Sequence, residues 1–152
     1  MEKEIKTKTT EFFILNKPYE KKEKSACLAP YVTISIASLA GQKTIDNVFD
    51  ARIDTGADIT CIPRIYASAL GPLILGNPLK VRGHDGTINQ VWTYRMIIYI
   101  QGYPDVNKVK YYHPERGILL TDSNIGLIGM DIISKCQKLT FNSVSQDFCL
   151  EF

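Results

Sequence analysis

The amino-acid sequence predicts an all-β fold, a small closed β-barrel with one or two short helices. Residues 31–39 and 92–100 alternate between apolar and polar side chains, with the period of two that is typical of a half-buried strand. The other apolar runs are short and are separated by Gly, Pro, Asn and Asp, which favour turns. A chain of 152 residues with many short strands and few helices is typical of a single mainly β domain.

In the first half of the chain, residues 12–15 form an apolar run that could add a strand or cover a sheet edge. Residues 31–39 and 45–53 predict two strands joined by a turn at Gly41, and the second strand ends directly before Asp54. Pro63 suits the first turn of a short helix over residues 64–70, which Gly71 and Pro72 end.

In the second half, residues 79–100 predict a long hairpin with its turn at 84–86. Residues 102–116 predict a variable loop around a short strand at 109–112, and apolar strands follow at 118–120 and 125–128. Asp131 is predicted to cap a helix over 132–136, because its carboxylate can accept from free backbone N–H groups. Residues 139–141 and 148–152 predict a final hairpin.

Charge is unevenly distributed along the chain. Residues 1–24 contain seven Lys and five Glu, which accounts for the formal net charge of +2 and leaves the remainder neutral. We therefore predict a charged N-terminal arm over 1–26 and one globular domain over 27–152. A neutral domain has no strong field to attract nucleic acid or an anionic membrane, so neither is expected as a partner.

The sequence predicts a cytoplasmic protein without a metal or cofactor. No segment approaches the roughly 20 apolar residues that span a bilayer, and the N-terminus lacks the apolar region of a signal peptide. The four cysteines show no C-x-x-C pairing and no metal-ligand spacing with the two histidines. Buried free thiols are the simpler interpretation, and they indicate a reducing compartment.

The candidate catalytic segment is residues 51–63, ARIDTGADITCIP, where a strand is followed at once by Asp54, Thr55 and Gly56. A carboxylate at Asp54 could activate water, and the Thr55 hydroxyl could lock the loop by hydrogen bonding. Gly56 would let the backbone approach a ligand or turn with positive φ. Apolar neighbours would exclude water around the acid.

This segment resembles the D-T-G-A-D signature of retropepsin-like, retroviral-type aspartic proteases. Residues 124–134, NIGLIGMDIIS, resemble the second landmark of that family, an apolar strand and a Gly followed by Asp or Asn at a short helix. The hairpin at 79–100 lies where the family carries its flap. Three landmarks in the family's order, within residues 31–152, are far more specific than a lone D-T-G. The chain resembles a stand-alone cellular or bacterial member.

The resemblance implies an aspartic endopeptidase that works as a homodimer on a peptide or protein substrate. Such catalysis needs two carboxylates that share one proton, and the chain has a single D-T-G. The partner of Asp54 would therefore be Asp54 of a second copy, and residues 148–152 would help to form the interface. Asp131 lacks the following Thr-Gly, which favours capping over catalysis. The alternative function is a catalytically silent dimeric module that binds peptides.

The resemblance also implies residue roles. Asp54, Thr55 and Gly56 would be catalytic, and the substrate would contact Ala57, Asp58, Cys61, Gly83, His84, Asp85 and Gly86. Alternatives stay open for several of these residues. Asp54 could form an ordinary Asx turn or, together with Asp58, a magnesium site. Asp58 could instead bond within its own loop, and the charged hairpin tip could be an ordinary solvated turn. A nucleophilic Cys61 is disfavoured, because no basic residue nearby in sequence would lower its pKa.

Overall fold

The structure is a computed structural model that describes residues 13–22, 27–39, 48–83 and 85–152. It is mostly β, with short helices α1 (Arg64–Ser68) and α2 (Met130–Ile133), as the sequence predicted. The strands are β1 (Ile14–Pro18), β2 (Tyr31–Ser38), β3 (Phe49–Ile53), β4 (Cys61–Pro63), β5 (Ile74–Arg82), β6 (Ile88–Gln101), β7 (Val109–Tyr112), β8 (Leu119–Thr121), β9 (Gly126–Ile128), β10 (Lys138–Asn142) and β11 (Asp147–Glu151).

The larger sheet has the strand order β5-β6-β2-β3-β9-β4-β8, and β7 also pairs with β6. Most neighbours are antiparallel, but β3 runs parallel to β9 and β4 runs parallel to β8. The sheet curls, so that Tyr94 of β6 and Ile118 beside β8 exchange two backbone hydrogen bonds of 2.9 Å. The predicted closed barrel is thus observed as a curled half-barrel sheet.

The core lies inside this curl and follows the alternation that was read from the sequence. Met96, Ile98 and Ile100 of β6 are fully buried, and they face the buried side chains of β2. On β3, Phe49, Ala51 and Ile53 are buried, whereas Asp50 and Arg52, which alternate with them, are half-buried. One face of β3 therefore packs on the core, and the other face is partly exposed next to Asp54, which follows the strand.

A second, three-stranded sheet has the order β1-β11-β10. The apolar run that was predicted to add a strand or cover an edge does add one, and the Phe13 ring packs 5.5 Å from the ring of Phe152. Because β11 is paired on both edges within its own chain, contact with a second copy would have to come from its faces or from the outer strands β1 and β10. The division into an arm and a domain at residue 26 stays a prediction.

Several element boundaries differ from the predictions. β5 begins at Ile74, before the predicted start at 79, because a bulge between Leu75 and Pro78 lets the pairing continue past a Gly-Asn-Pro break. The predicted turn at Gly41 and the first part of the strand at 45–53 lie outside the described residues. Helix α2 begins at Met130, two residues before its predicted start. In the described part of the chain, no helix is long and apolar enough to cross a membrane.

Candidate active site

Asp54 lies in a loop between β3 and β4 that is held against the end of β9. The Asp54 N–H donates to the Ile128 carbonyl at 3.0 Å, and the Ala57 N–H donates to the Asp54 carbonyl at 3.2 Å. The first bond ties the loop to the neighbouring strand, and the second closes a tight turn. Asp54 is half-buried, so its carboxylate is reachable from outside the core.

The backbone of Gly56 lies close to the carboxylate of Asp54. Its N–H donates to Asp54 Oδ1 at 2.9 Å, and a Cβ at this position would lie 3.2 Å from the same oxygen. Gly56 is not among the described glycines with positive φ. The positive φ predicted as one use of this glycine is not observed, and its predicted approach to a ligand stays a prediction.

A buried polar cluster, which we call the Thr60–Asp131 clamp, joins the Asp54 loop to helix α2. Thr60 is fully buried, and its hydroxyl donates to Asp131 Oδ1 at 2.7 Å while its N–H donates to Oδ2 at 3.0 Å. The Thr60 hydroxyl also accepts from the Gly129 N–H at 3.0 Å. These bonds join residues 71 and 69 positions apart in sequence. The clamp therefore holds the loop that carries Asp54 against the start of helix α2.

The clamp corrects the predicted role of Asp131. The residue that caps α2 is Gly129, and Asp131 lies in the first turn. Its Oδ1 does accept from a helix N–H, that of Ile132 at 2.9 Å, but both of its oxygens also bind Thr60. A carboxylate occupied in this way is a structural group, which agrees with the preference for a supporting role over catalysis.

Backbone contacts bring α2 directly against the Asp54 loop. The Met130 N–H donates to the Ala57 carbonyl at 2.7 Å, and the Asp131 N–H donates to the Asp58 carbonyl at 3.2 Å. A Cβ at Gly129 would lie 2.8 Å from the Ala57 carbonyl oxygen, closer than real side chains come. Only glycine fits at this position, because the loop and the helix touch there.

Within the chain, the Thr60 hydroxyl ties the loop to α2, and the loop-locking role of Thr55 stays a prediction. Thr55 is exposed and forms no hydrogen bond with any other residue that the structure describes. Asp58 is exposed and contributes its carbonyl to α2, while Ala57 is half-buried beside it. The sequence signal for Thr60 is a polar residue inside the apolar run 59–62.

Cys61 is half-buried beside the same loop, and its thiol donates to the Ile59 carbonyl at 3.6 Å. Burial raises the pKa of this thiol, and the negative charges of Asp131 and Asp54 raise it further. The thiolate needed for nucleophilic attack is therefore disfavoured, in agreement with the sequence-based preference. Within the described ranges, no group of three or more His, Cys, Asp or Glu side chains could hold a metal ion.

The tip of the β5–β6 hairpin is a tight turn that its own residues hold. The Gly83 N–H donates to the Thr87 carbonyl at 2.9 Å, and the Gly86 N–H donates to the Gly83 carbonyl at 3.0 Å. Asp85 Oδ1 accepts from the Thr87 hydroxyl at 2.6 Å and its N–H at 3.0 Å, and these bonds lower the pKa of Asp85. His84 lies outside the described residues.

The outer half of this hairpin stands away from the core. Ile88 at the start of β6 and Val81 near the end of β5 are 57% and 40% exposed, and Trp92, further along β6, is 49% exposed. Trp92 is therefore not a core residue. A two-stranded ribbon with exposed apolar side chains is expected to bind another molecule or segment that covers those side chains.

Comparison with known proteins identifies the family. The family model for the retroviral aspartyl protease matches residues 28–140, well over half of the chain. The chain belongs to this family. The match confirms the resemblance seen in the D-T-G-A-D segment and includes both partners of the Thr60–Asp131 clamp.

Two solved structures of this family resemble the chain. A retropepsin-like aspartic protease from Rickettsia conorii is 15% identical with a TM-score of 0.49, over 93% of each chain. EIAV protease, solved with the inhibitor HBY-793, is 17% identical with a TM-score of 0.42, over 76% of this chain and 92% of the other. No curated protein matches the chain. Strands β1 and β11 lie outside the residues that the family model matches.

Proposed function

We propose that the protein is an aspartic endopeptidase, active as a homodimer in which Asp54 of each copy forms the catalytic pair. The observation that carries the proposal is the Asp54 loop itself. Asp54 is half-buried at the end of a strand. Its N–H donates to the Ile128 carbonyl, its carboxylate accepts from the Gly56 N–H, and the Thr60–Asp131 clamp ties the loop to α2. Such anchoring supplies the fixed geometry that acid–base catalysis needs.

The chemistry requires two carboxylates in contact that hold one proton between them, because two adjacent negative charges are unfavourable. The ionised group takes a proton from water as the water attacks the peptide carbonyl, and the protonated group donates to the developing oxyanion. Asp131 is engaged with Thr60 and is a poor candidate for the second acid. A second copy of Asp54 fills that role in the proposal.

The substrate, in this proposal, lies extended across Ala57, Asp58 and Cys61 beside Asp54. The β5–β6 hairpin closes over it, with Gly83, His84, Asp85 and Gly86 at the tip. The exposed apolar residues of the hairpin support this role, since a bound peptide would cover one of its faces. All four cysteines are free thiols, which supports the proposed reducing, cytoplasmic setting.

The direct test is incubation of the purified protein with a denatured protein mixture, followed by mass spectrometry of the new chain ends. We expect internal cuts that share a preferred sequence around the cleaved bond. Stable peptide binding without any cuts would support the silent peptide-binding module instead. Neither cuts nor binding would contradict both functions.

Dilution should reduce activity per mole of protein. If the active site forms only between two copies, the active fraction falls as the dimer dissociates. We expect the loss of specific activity to follow the dimer fraction, measured by sedimentation velocity across the same concentrations. A protein that is monomeric throughout the series and keeps full specific activity would contradict the shared site.

Replacing Gly86 with Val should slow turnover. Gly86 has φ +82° at the hairpin tip, a conformation that costs a β-branched residue about 1–2 kcal/mol, so the turn would deform. A deformed tip would close less well over the substrate, and we expect kcat/KM to fall several-fold.

The matched control is Gly71→Val. Gly71 also has φ +82° with open space around it, but it lies between α1 and the start of β5, at the opposite end of that strand from the hairpin tip. Both variants should lose similar stability in thermal unfolding, and only Gly86→Val should lose rate. Equal rates in the two variants would mean that the hairpin is not a lid.

A further inference from the structure

Thr93 lies where the β5–β6 hairpin leaves the rest of the domain. On the outer side of Thr93, residues 78–82 and 88–92 pair with each other, and none of them is buried. On the inner side, β6 pairs with β2 from Met96 and with β7 from Ile98. The outer hairpin is therefore a projecting two-stranded ribbon, and Thr93 marks its attachment to the domain.

The Thr93 side chain links three segments of the chain. Thr93 is fully buried, although its two neighbours on β6 are exposed or half-buried. Its hydroxyl oxygen lies 2.7 Å from the carbonyl oxygen of Asn77, in the bulge of β5, and 2.8 Å from that of Arg116, which precedes β8. One hydroxyl thus connects both strands of the hairpin with a segment outside it.

Two glycines let these segments come so close. A Cβ at Gly117 would lie 2.5 Å from the Thr93 hydroxyl oxygen, and a Cβ at Gly76 would lie closer still, at distances that real side chains do not reach. Directly beside Thr93, Tyr94 and Ile118 exchange two backbone hydrogen bonds of 2.9 Å. Because such tight packing prevents sliding, a movement of the outer hairpin has to be a rotation about this attachment.

The Thr93 hydroxyl can serve two positions of the hairpin. A hydroxyl has a single proton, so the two carbonyls compete for it. Asn77 belongs to the hairpin and stays near Thr93 when the ribbon rotates, whereas Arg116 belongs to the rest of the domain. The proton can be donated to Arg116 when the hairpin is lowered and to Asn77 when it is lifted. The buried hydroxyl therefore keeps a partner in both positions, which avoids the cost of an unpaired donor.

We propose that Thr93 is the hinge of the hairpin and a positioning residue for the reaction, because its bond to the Arg116 carbonyl holds the hairpin down over the substrate. The inference rests on the proposed endopeptidase function, in which the hairpin closes over a peptide, and adds to it the residue that controls closure. Closing elements of enzymes commonly move about a few such residues at their ends.

Thr93→Val tests the hinge, since it replaces the hydroxyl by a methyl group of similar size. The Arg116 carbonyl then loses this donor and can gain water when the hairpin lifts, so the variant should favour the lifted position. One hydrogen bond between neutral groups changes an equilibrium by about two- to tenfold, and we expect KM to rise by about that factor. Saturating peptide still closes the hairpin, so kcat should change by less than about twofold. Thr93→Ser keeps the hydroxyl and should restore KM.

The matched control is Thr33→Val. Thr33 is a half-buried threonine of β2, outside the hairpin, and its hydroxyl bonds to no other residue that the structure describes. This variant should keep the KM of the wild type. An equal rise of KM in Thr33→Val and Thr93→Val would indicate a general effect of the substitution and would overturn the hinge.

A second measurement needs neither cleavage nor a substrate. Trp92 is the single tryptophan of the chain, lies next to Thr93 and is 49% exposed, so its fluorescence reports on the hairpin. It shares a face of β6 with the buried Met96, so lifting the hairpin should expose it further. In the protein without peptide, acrylamide should quench Trp92 more strongly in Thr93→Val than in the wild type, Thr93→Ser or Thr33→Val.

Equal KM and equal quenching in Thr93→Val and the wild type would overturn the hinge and leave the endopeptidase proposal intact. If Thr93→Val does not fold, Asp54→Asn with Thr93 unchanged decides the matter. A saturating peptide that the wild type cuts should protect Trp92 from acrylamide, and unchanged quenching with the peptide bound would overturn the inference. Absence of both cleavage and peptide binding would overturn the endopeptidase, while the quenching of Thr93→Val without peptide would still decide the hinge.

Discussion

Asp54→Asn is expected to abolish peptide cleavage while the fold and the dimer persist. The amide has nearly the same shape, and its oxygen can still accept from the Gly56 N–H that now binds Oδ1 at 2.9 Å. It cannot share a proton with a second carboxylate, so both water activation and oxyanion stabilisation are lost. We expect kcat to fall by about 10³-fold or more, measured with a peptide that the wild type cuts.

Mixing the two proteins tests whether Asp54 acts in pairs. After equal amounts of wild type and Asp54→Asn are unfolded and refolded together, random pairing leaves about one quarter of the dimers with two intact acids. The activity should therefore be about a quarter of that of the same total amount of wild type. A mixture of wild type with Asp122→Asn, an exposed acid outside the loop, should keep full activity. Half activity in the Asp54 mixture would mean that each copy works alone.

The sequence predicted the parts of this protein that are encoded locally. The alternating strands β2 and β6, the strand that ends at Asp54 and the hairpin at the family's flap position all follow from periods and turn residues within short windows. The D-T-G-A-D segment identified the loop because several specific residue types occur there in consecutive order. The order of strands β3-β9-β4 could not be read in this way, since it pairs segments far apart in the chain.

The features that were missed depend on contacts between distant segments. Thr60 appeared to be one polar residue in an apolar run, and its importance emerges only when Asp131, 71 residues later, lies against it. Gly129 is part of the motif at 124–134, but the loop carbonyls that exclude a Cβ there come from residues 57 and 59.

The second large effect is expected for Asp131→Ala, which removes the acceptor at the centre of the clamp. Thr60 would keep a buried N–H and a buried hydroxyl without the oxygens that now accept from them at 3.0 and 2.7 Å. Unpaired buried donors are costly, so we expect a loss of about 3 kcal/mol in the free energy of unfolding. The measurement is urea unfolding at one fixed protein concentration, since dimerisation would make stability depend on concentration.

Two further variants separate this structural role from a catalytic one. Asp131→Asn keeps an oxygen for the Thr60 hydroxyl, so it should cost only about 1 kcal/mol and should still cleave peptides at low temperature. Asp122→Ala removes a carboxylate that is 92% exposed and paired with Arg64 at the surface, and it should change stability by less than about 0.5 kcal/mol. If Asp131→Asn were folded, dimeric and as inactive as Asp54→Asn, Asp131 would belong to the catalytic machinery. If Asp131→Ala were as stable as Asp122→Ala, the clamp would not be what holds the Asp54 loop in place.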